Sequence, residues 1–213
     1  MFSNAKKVFI KHIKNNSSTY FFLLLAFIIG VSAGAFTVNG LTSAQRNELK
    51  NYFNGFLQLL DNQNIDSSEL FKIALAENFK LIAVIWVLGV SIIGIPFIYV
   101  AVGIRGFLTG FSSGFIIHSL GFKGIFFIIF SLLPKEFIII PCIIIIGVNG
   151  IKFSLSIIKS KSIKQISKES LKKNFIAYCL ATLFIACFVM IGILIEVYVT
   201  PVFIRLVAPM IIE

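Results

Sequence analysis

Long apolar runs alternate with short polar stretches along the chain, a pattern typical of a protein that crosses a membrane several times. A helix needs about 20 predominantly apolar residues to span the hydrocarbon core of a bilayer. Runs of about that length extend over residues 20–38, 81–104, 106–122, 124–151 and 174–195. We therefore predict an all-α fold, a polytopic integral membrane helix bundle with five spans that forms a single membrane domain.

Lys135 and Glu136 interrupt the fourth run directly after Pro134. The apolar piece on either side is too short to cross a bilayer comfortably alone, and proline lacks the N–H that would continue a helix. We predict one crossing that is broken near Pro134. Sequence neighbours point about 100° apart on a helix, so Lys135 and Glu136 need not pair with each other and could form salt bridges to other helices.

This intramembrane polar break permits two interpretations. A charge at the centre of a bilayer costs about 2.5–3.5 kcal/mol on insertion scales, so such residues normally face the bundle interior or a water-filled cavity. The break could be purely structural, with every polar group satisfied. It could instead form a polar vestibule, a path for protons or ions, or a hinge that a partner controls. The sequence leaves both interpretations open.

Composition strengthens the membrane assignment. Of the 213 residues, 58% are hydrophobic and only 13% are charged, against about 25% charged in ordinary soluble domains. A disordered chain, a disulfide-stapled secreted domain and a water-soluble globule are excluded. The net charge of +10 does not indicate a nucleic-acid partner, because the basic residues flank apolar runs and so match a bilayer surface.

The distribution of charge predicts the orientation. The leader 1–19 and the loop 152–173 are strongly basic, and Arg105 is interpreted as lying in the turn between the second and third spans. The loop 39–80 has nearly balanced charge. Because basic loops stay on the cytoplasmic side, we predict a cytoplasmic N-terminus, an extracytoplasmic loop 39–80 and an extracytoplasmic tail 200–213.

The two ends of the chain carry further expectations. The tail is apolar and is expected to fold back against the outer leaflet or the bundle, with Glu196 near the membrane interface. At the N-terminus, Ala33-Gly34-Ala35 after a basic leader resembles a signal-peptide cleavage site. The apolar run continues past these small residues, so a retained first span is favoured.

The extracytoplasmic loop is expected to be helical. Thr42 and Gln45 have the spacing of a capping box, and Asp66-Ser67-Ser68-Glu69 repeats the pattern before a helix that runs into the second span. Between them lies an apolar stripe at helical spacing, formed by Leu49, Tyr52, Phe53, Phe56, Leu57 and Leu60. This stripe could lie on the membrane or the bundle, or it could be a docking face for an extracytoplasmic partner.

Glycines four residues apart predict close helix packing. Gly30 and Gly34 form such a pair on the first span, and Gly106, Gly110 and Gly114 form a ladder on the third. Glycines at this spacing share one helix face and allow another backbone to approach closely. The pattern leaves open whether the partner helix belongs to the same chain or to a second copy in a homodimer.

Candidate chemistry is sparse. Ser112 lies in a Gly-x-Ser-x-Gly string with His118 nearby, but a nucleophile elbow requires a strand-to-helix turn that an apolar helix does not offer. Cys142, Cys179 and Cys187 lie within apolar runs and are interpreted as packing residues. We expect no catalytic residue, no cofactor, no metal site and no enzymatic activity.

The order of several short motifs resembles the stage II sporulation protein M family. These motifs are Gly89-x-x-x-x-Gly94-Ile95-Pro96, the glycine ladder that begins at Gly103, Gly121-Phe122-Lys123-Gly124, and Leu132-Leu133-Pro134-Lys135-Glu136 followed by Pro141. The resemblance covers essentially the whole chain. It implies a cell-membrane protein of endospore-forming bacteria, enriched at the sporulation septum.

The resemblance also implies a function. Family members are expected to organise stage II sporulation proteins D and P, which degrade septal peptidoglycan so that the septum thins and the forespore is engulfed. The chain itself would then be a non-enzymatic scaffold. The alternative is a transport or ABC-permease-like subunit that uses the broken helix at Lys135 and Glu136.

Overall fold

The structure is a computed structural model that describes residues 13–62, 67–163 and 168–204. Within these ranges every regular element is a helix. The elements are α1 (Ser17–Asn39), α2 (Ser43–Asn62), α3 (Ser67–Val90), α4 (Gly94–Leu120), α5 (Phe122–Ser131), α6 (Leu133–Ile163) and α7 (Lys168–Leu194), followed by a π-helical turn, Ile195–Val199. Helices α1, α3, α4, α6 and α7 are long and apolar enough to cross a membrane, which confirms the predicted all-α bundle with five spans.

The boundaries of the second and third spans differ from those predicted. The second spanning helix is Ser67–Val90 rather than 81–104, and the third is Gly94–Leu120 rather than 106–122. Helix α3 extends from Ser67, within the predicted second capping box, but the proposed N-cap Asp66 lies outside the described residues, so the cap itself stays a prediction. The span therefore starts inside the predicted loop 39–80, and Arg105 lies in the middle of α4 rather than in a turn.

An apolar turn at residues 91–93 explains the difference. The Gly94 N–H donates to the Ser91 carbonyl over 3.2 Å, and Ser154 of α6 donates its hydroxyl to the same carbonyl over 2.6 Å. Any Cβ at Gly94 would collide with the Leu88 carbonyl, so the reversal requires glycine. Because the turn carries no charge, hydropathy alone could not separate α3 from α4.

The fourth span is broken at Leu132, two residues before Pro134. Gly121, with φ of 58°, reverses the chain after α4 so that α5 packs back along it, with Gly124 against the backbone of Ile116 and Ile117. Helix α6 follows, and its stretch Leu133–Ser160 is by itself long and apolar enough to cross a membrane. The break thus separates a short helix of 10 residues from a helix of 31 residues.

Helix α6 forms the centre of the bundle. In its most apolar stretch 61% of the residues are buried, against 17–33% in the other four spans. Ile139 and Ile146 of α6 are fully buried, and they share a core with fully buried side chains from every other span, namely Leu23, Ile85, Ile98, Val189 and Ile193. The remaining spans pack around α6 and carry many exposed apolar side chains on the outside of the bundle, as expected of helices in a bilayer.

The predicted glycines lie where α1 and α4 cross. A Cβ at Gly30 would collide with the carbonyl of Gly103, and one at Gly34 with that of Phe107. In return, Gly106 and Gly110 of α4 lie against the carbonyls of Phe27 and Val31, and Gly114 lies against Ala35. The partner of the ladder on α4 is therefore α1 of the same chain.

The two ends of the bundle differ in charge. Helix α1 begins, α6 ends and α7 begins at one end, which we call the basic end because Lys152, Lys159, Lys172 and Lys173 lie there. Helix α7 continues beyond its π-helical turn to Ile204 at the opposite end. Residues 200–204 of the tail thus extend this helix and pack against the bundle, with Ile204 buried beside Ile116 and Phe127, whereas residues 205–213 lie outside the described chain.

Candidate functional site

The first turn of α6 carries the predicted polar break. Pro134 is the second residue of this helix, a position where the missing N–H costs no intrahelical hydrogen bond. Glu136 lies in the first turn, where the positive end of the helix dipole favours a carboxylate. The backbone N–H of Glu136 donates to the Leu132 carbonyl over 3.2 Å. This bond between residues four apart links the break to the first turn of α6.

Glu136 forms an ion pair with Arg105 of α4. The guanidinium Nη2 lies 2.8 Å from Oε1 of the carboxylate, and the side chains are 7% and 17% exposed for Glu136 and Arg105 respectively. The pair is thus withdrawn from solvent at the middle of a spanning helix. Pairing explains why α4 can carry an arginine inside an apolar span, since an unpaired charge there would be costly.

Lys135 forms a second ion pair, with Glu196. Their side chains are 16% and 24% exposed, so Glu196 is a partly buried partner of the polar break. Glu196 lies in the π-helical turn Ile195–Val199. Such turns are rare in helices and are frequent at functional sites. The two pairs together, Arg105–Glu136 and Lys135–Glu196, are called the four-charge cluster below.

The four-charge cluster joins α4, α6 and the extension of α7 through two ion pairs, each of zero net charge. The two neighbouring residues of α6 point about 100° apart, so one can pair with α4 and the other with the extension of α7. Two buried atoms, Arg105 Nε and Glu136 Oε2, have no hydrogen-bond partner within the described protein. This leaves one donor and one acceptor that could hold water or a proton inside the bundle.

A second feature, at the end opposite the basic one, is the contact between α2 and the bundle. Gln45 accepts a hydrogen bond from the Thr42 N–H over 3.1 Å, and Thr42 Oγ1 accepts from the Gln45 N–H over 3.4 Å, which confirms the first capping box. The ring of Phe53 then packs edge-on against Phe115 of α4 at 6.1 Å and Phe127 of α5 at 5.8 Å. We call this contact the Phe53 anchor.

The predicted docking stripe is divided by this anchor. Phe53 faces the bundle, Leu49 is half-buried, and Tyr52 is 83% exposed. The side chains of Phe56, Leu57 and Leu60 lie outside the described part of the structure. Phe53 therefore has packing partners within the chain, while the Tyr52 side chain points outward.

The remaining predicted chemistry is dispersed. Ser112 and His118 are both exposed on α4, and no hydrogen bond joins them. Cys142 is buried, Cys179 is half-buried and Cys187 is exposed, and all are free thiols. Among the described residues no cluster of histidine, cysteine and acidic side chains could hold a metal ion.

Sequence reasoning missed Arg105 and Glu196 as members of the site. One signal could have found them. Lys135 and Glu136 need partners of opposite charge at the same depth, and Arg105 and Glu196 are the charges that border the neighbouring apolar runs. Arg105 was interpreted as a boundary because an arginine inside a span is expensive, but the same cost predicts a buried acidic partner.

Comparison with known proteins gives one match. A model of the family described as Stage II sporulation protein M matches residues 4–201, a range that includes all seven helices, the π-helical turn and the four-charge cluster. No curated protein and no solved structure matches the chain. The match covers most of the chain, and the five spanning helices are those of a multi-pass membrane protein. The chain therefore belongs to the stage II sporulation protein M family, a family of sporulation-related membrane proteins.

Proposed function

We propose that this protein is a non-enzymatic membrane scaffold that organises septal peptidoglycan hydrolases during endospore formation. The observation that carries the proposal is the Phe53 anchor together with the exposure of Tyr52. A scaffold must offer its partner an exposed surface, and contact of the Phe53 ring with α4 and α5 turns Tyr52 of the same helix outward.

Contacts between the spanning helices support the same function. Two ion pairs join α4, α6 and the extension of α7, and close backbone contact joins α1 to α4. The proposed partners are stage II sporulation proteins D and P, in line with the family to which the chain belongs. The proposed location is the sporulation septum, with α2 on the side that contains peptidoglycan.

A matched pair of variants tests the docking role. Tyr52→Asp places a charge on the exposed aromatic side chain without touching the Phe53 anchor. Asn47→Asp adds the same charge at another exposed position of α2, about 140° around the helix from Tyr52. Both variants are expressed in sporulating cells, and the hydrolases that co-purify with each after cross-linking are quantified.

We expect Tyr52→Asp to lose the hydrolases and Asn47→Asp to retain them, because buried aromatic anchors contribute most of the binding energy at protein interfaces. Equal membrane levels of the two variants serve as the control for folding. Retention of both hydrolases by a normally inserted Tyr52→Asp protein contradicts the docking role.

A second candidate function, a transport subunit, is favoured by one observation. Buried Arg105 Nε and Glu136 Oε2 retain unused hydrogen-bonding capacity, as a proton or ion path through the broken fourth span would require. This candidate predicts flux of a proton or a small solute across liposomes that contain the purified protein, and a change in that flux in Glu136→Gln. Equal flux in protein-containing and empty liposomes contradicts it.

A further inference from the structure

A pocket lined by both polar and apolar side chains lies at the basic end of the bundle, between the start of α1, the end of α6 and the start of α7. Its volume is about 560 Å³, within the range of about 300–1,000 Å³ that small-molecule sites occupy. It is distant from the four-charge cluster and the Phe53 anchor, both of which lie toward the other end. Neither the proposed scaffold function nor the transport alternative uses it.

The polar lining of the pocket suits an anion. Two lysines and five neutral Asn, Ser and Thr side chains contribute to it, namely Lys152, Lys159, Asn16, Thr19, Asn149, Ser156 and Asn174. No acidic residue is among its described lining residues. Neither lysine forms an ion pair with any described residue, since the nearby Glu169 is paired with Lys173 at 3.1 Å. The two ammonium groups are therefore available to a ligand from outside the protein.

Helices α6 and α7 place the polar side chains of the pocket close to one another. Lys152 and Lys159 are seven residues apart on α6, which places them on one face about 10 Å apart along the axis. Long lysine stems allow both ammonium groups to converge on one headgroup. Asn174 of α7 donates its side-chain N–H to Ser156 of α6 over 3.1 Å, so the mouth of the pocket is held together by a polar contact.

The inner wall of the pocket is apolar. Phe153 stacks on Tyr178 with ring centroids 5.1 Å apart, and the Tyr178 hydroxyl donates to the Trp86 carbonyl over 3.1 Å. Ala177 and Ala181 of α7, one turn apart, leave space beside Leu155. Ala177 and Leu155 are exposed, and both lie in helices long and apolar enough to span a membrane, so we infer that this side of the pocket borders the bilayer.

We propose that this pocket binds the phosphate-bearing headgroup of an anionic phospholipid, with the start of an acyl chain along Ala177 and Ala181. Basic pockets between spanning helices on the cytoplasmic side are a recurring form of lipid recognition, and charge-assisted hydrogen bonds to phosphate are about twice as strong as neutral ones. The shared chemistry is a phosphate group, and the position beside the bilayer assigns it to a lipid rather than to a free anion.

The test uses the full chain in nanodiscs of phosphatidylcholine, to which phosphatidylglycerol is added in steps. Bound lipid is counted by native mass spectrometry after release into detergent. The pocket variant is Lys152→Gln with Lys159→Gln. Its matched control, Lys172→Gln with Lys173→Gln, removes the same charge at the same end of the bundle from exposed residues that do not line the pocket.

We expect the pocket variant to bind phosphatidylglycerol about tenfold more weakly and the control to bind like the unchanged protein. A second variant, Ala177→Phe, fills the apolar part without removing charge and is expected to lose binding as well. Equal binding by the pocket variant and the unchanged protein overturns the proposal. So does an equal loss in the control, which would indicate general surface charge.

A competition experiment separates the two sources of phosphate. Inorganic phosphate or glycerol 3-phosphate is added to the lipid-loaded protein at a large molar excess. Retention of the lipid supports a headgroup site that also needs the acyl chain. Full displacement overturns the lipid assignment in favour of a soluble anion. These outcomes are independent of the scaffold function, since they do not involve α2 or the hydrolases.

Discussion

At the scale of single residues, four charged side chains lie among apolar helices because each is paired. Each charge has a partner of opposite sign on a different element: Arg105 with Glu136, and Lys135 with Glu196. The pairs are intersegmental, so they fix the relative position of α4, α6 and the extension of α7. Removing one partner is expected to lower the stability of the fold, because the remaining charge is then buried without a counter-ion.

Replacing Glu136 by Gln is expected to destabilise the protein strongly. Arg105 would remain at the middle of α4 without its counter-ion, and breaking a buried pair in this way costs about 3–5 kcal/mol. Thermal unfolding of the purified protein in detergent measures the effect as a lower midpoint temperature. The matched control is Glu169→Gln, which breaks the solvent-exposed pair with Lys173 and is expected to change little, as exposed pairs contribute little.

The double replacement Arg105→Met with Glu136→Met separates structure from transport. An apolar pair of similar volume is often as stable as the buried ion pair it replaces, so we expect the midpoint temperature to recover. If the cluster is structural, sporulation recovers with it. A Glu136→Gln protein as stable as the Glu169→Gln protein would show that the ion pair does not hold the helices together.

At the scale of elements, backbone contact decides the packing of α1 on α4. Gly106 lies so close to the Phe27 carbonyl that any side chain would collide with it, whereas a Cβ at Gly103 would meet its nearest neighbour, the Ala26 carbonyl, at an ordinary 3.6 Å. Two glycines of one helix, three positions apart, thus differ in whether they must be glycine.

We expect Gly106→Ala to separate α1 from α4 and to lower stability by about 1–3 kcal/mol, the usual cost of overpacking. Gly103→Ala is the control, and we expect it to be neutral or slightly stabilising because alanine favours helix. Thermal unfolding of the two variants in the same detergent gives the comparison. Equal midpoint temperatures of the two variants would contradict the prediction, since α1 and α4 could then move apart without loss of stability.

Much of the element pattern could be predicted from the sequence. Five spans, the break near Pro134, the start of α3 at Ser67 and the capping box at Thr42 all follow from periodicity and local chemistry. The end of α3 did not follow, because the turn at residues 91–93 contains no charge, and Arg105 suggested a boundary that pairing with Glu136 removes. Contacts between distant segments, such as Lys135 with Glu196, are set by the fold and were not readable from local patterns.

At the scale of the whole molecule, charge separates the two ends of the bundle. The basic end carries the exposed lysines of α6 and α7, whereas α2 and the Phe53 anchor lie at the opposite end. Arg105 lies within α4 and so no longer counts as a loop charge. Residues 1–19 and 152–173 still carry an excess of basic residues without it. The positive-inside rule therefore still predicts a cytoplasmic basic end.

Single cysteines introduced into a variant without Cys142, Cys179 and Cys187 test this orientation. A thiol at Tyr52→Cys is expected to react with a membrane-impermeant maleimide in protoplasts. A thiol at Lys172→Cys is expected to react only after the membrane is permeabilised. The reverse pattern would place α2 in the cytoplasm and would remove the basis for docking an extracytoplasmic hydrolase.

The most direct test of the scaffold function is cryo-electron tomography of the septum in sporulating cells of the native host that lack this protein. We predict a septum that fails to thin and a mother-cell membrane that does not migrate around the forespore. We also predict rescue by the unchanged protein and by Asn47→Asp, but not by Tyr52→Asp. Normal septal thinning and engulfment in cells without the protein would contradict the account.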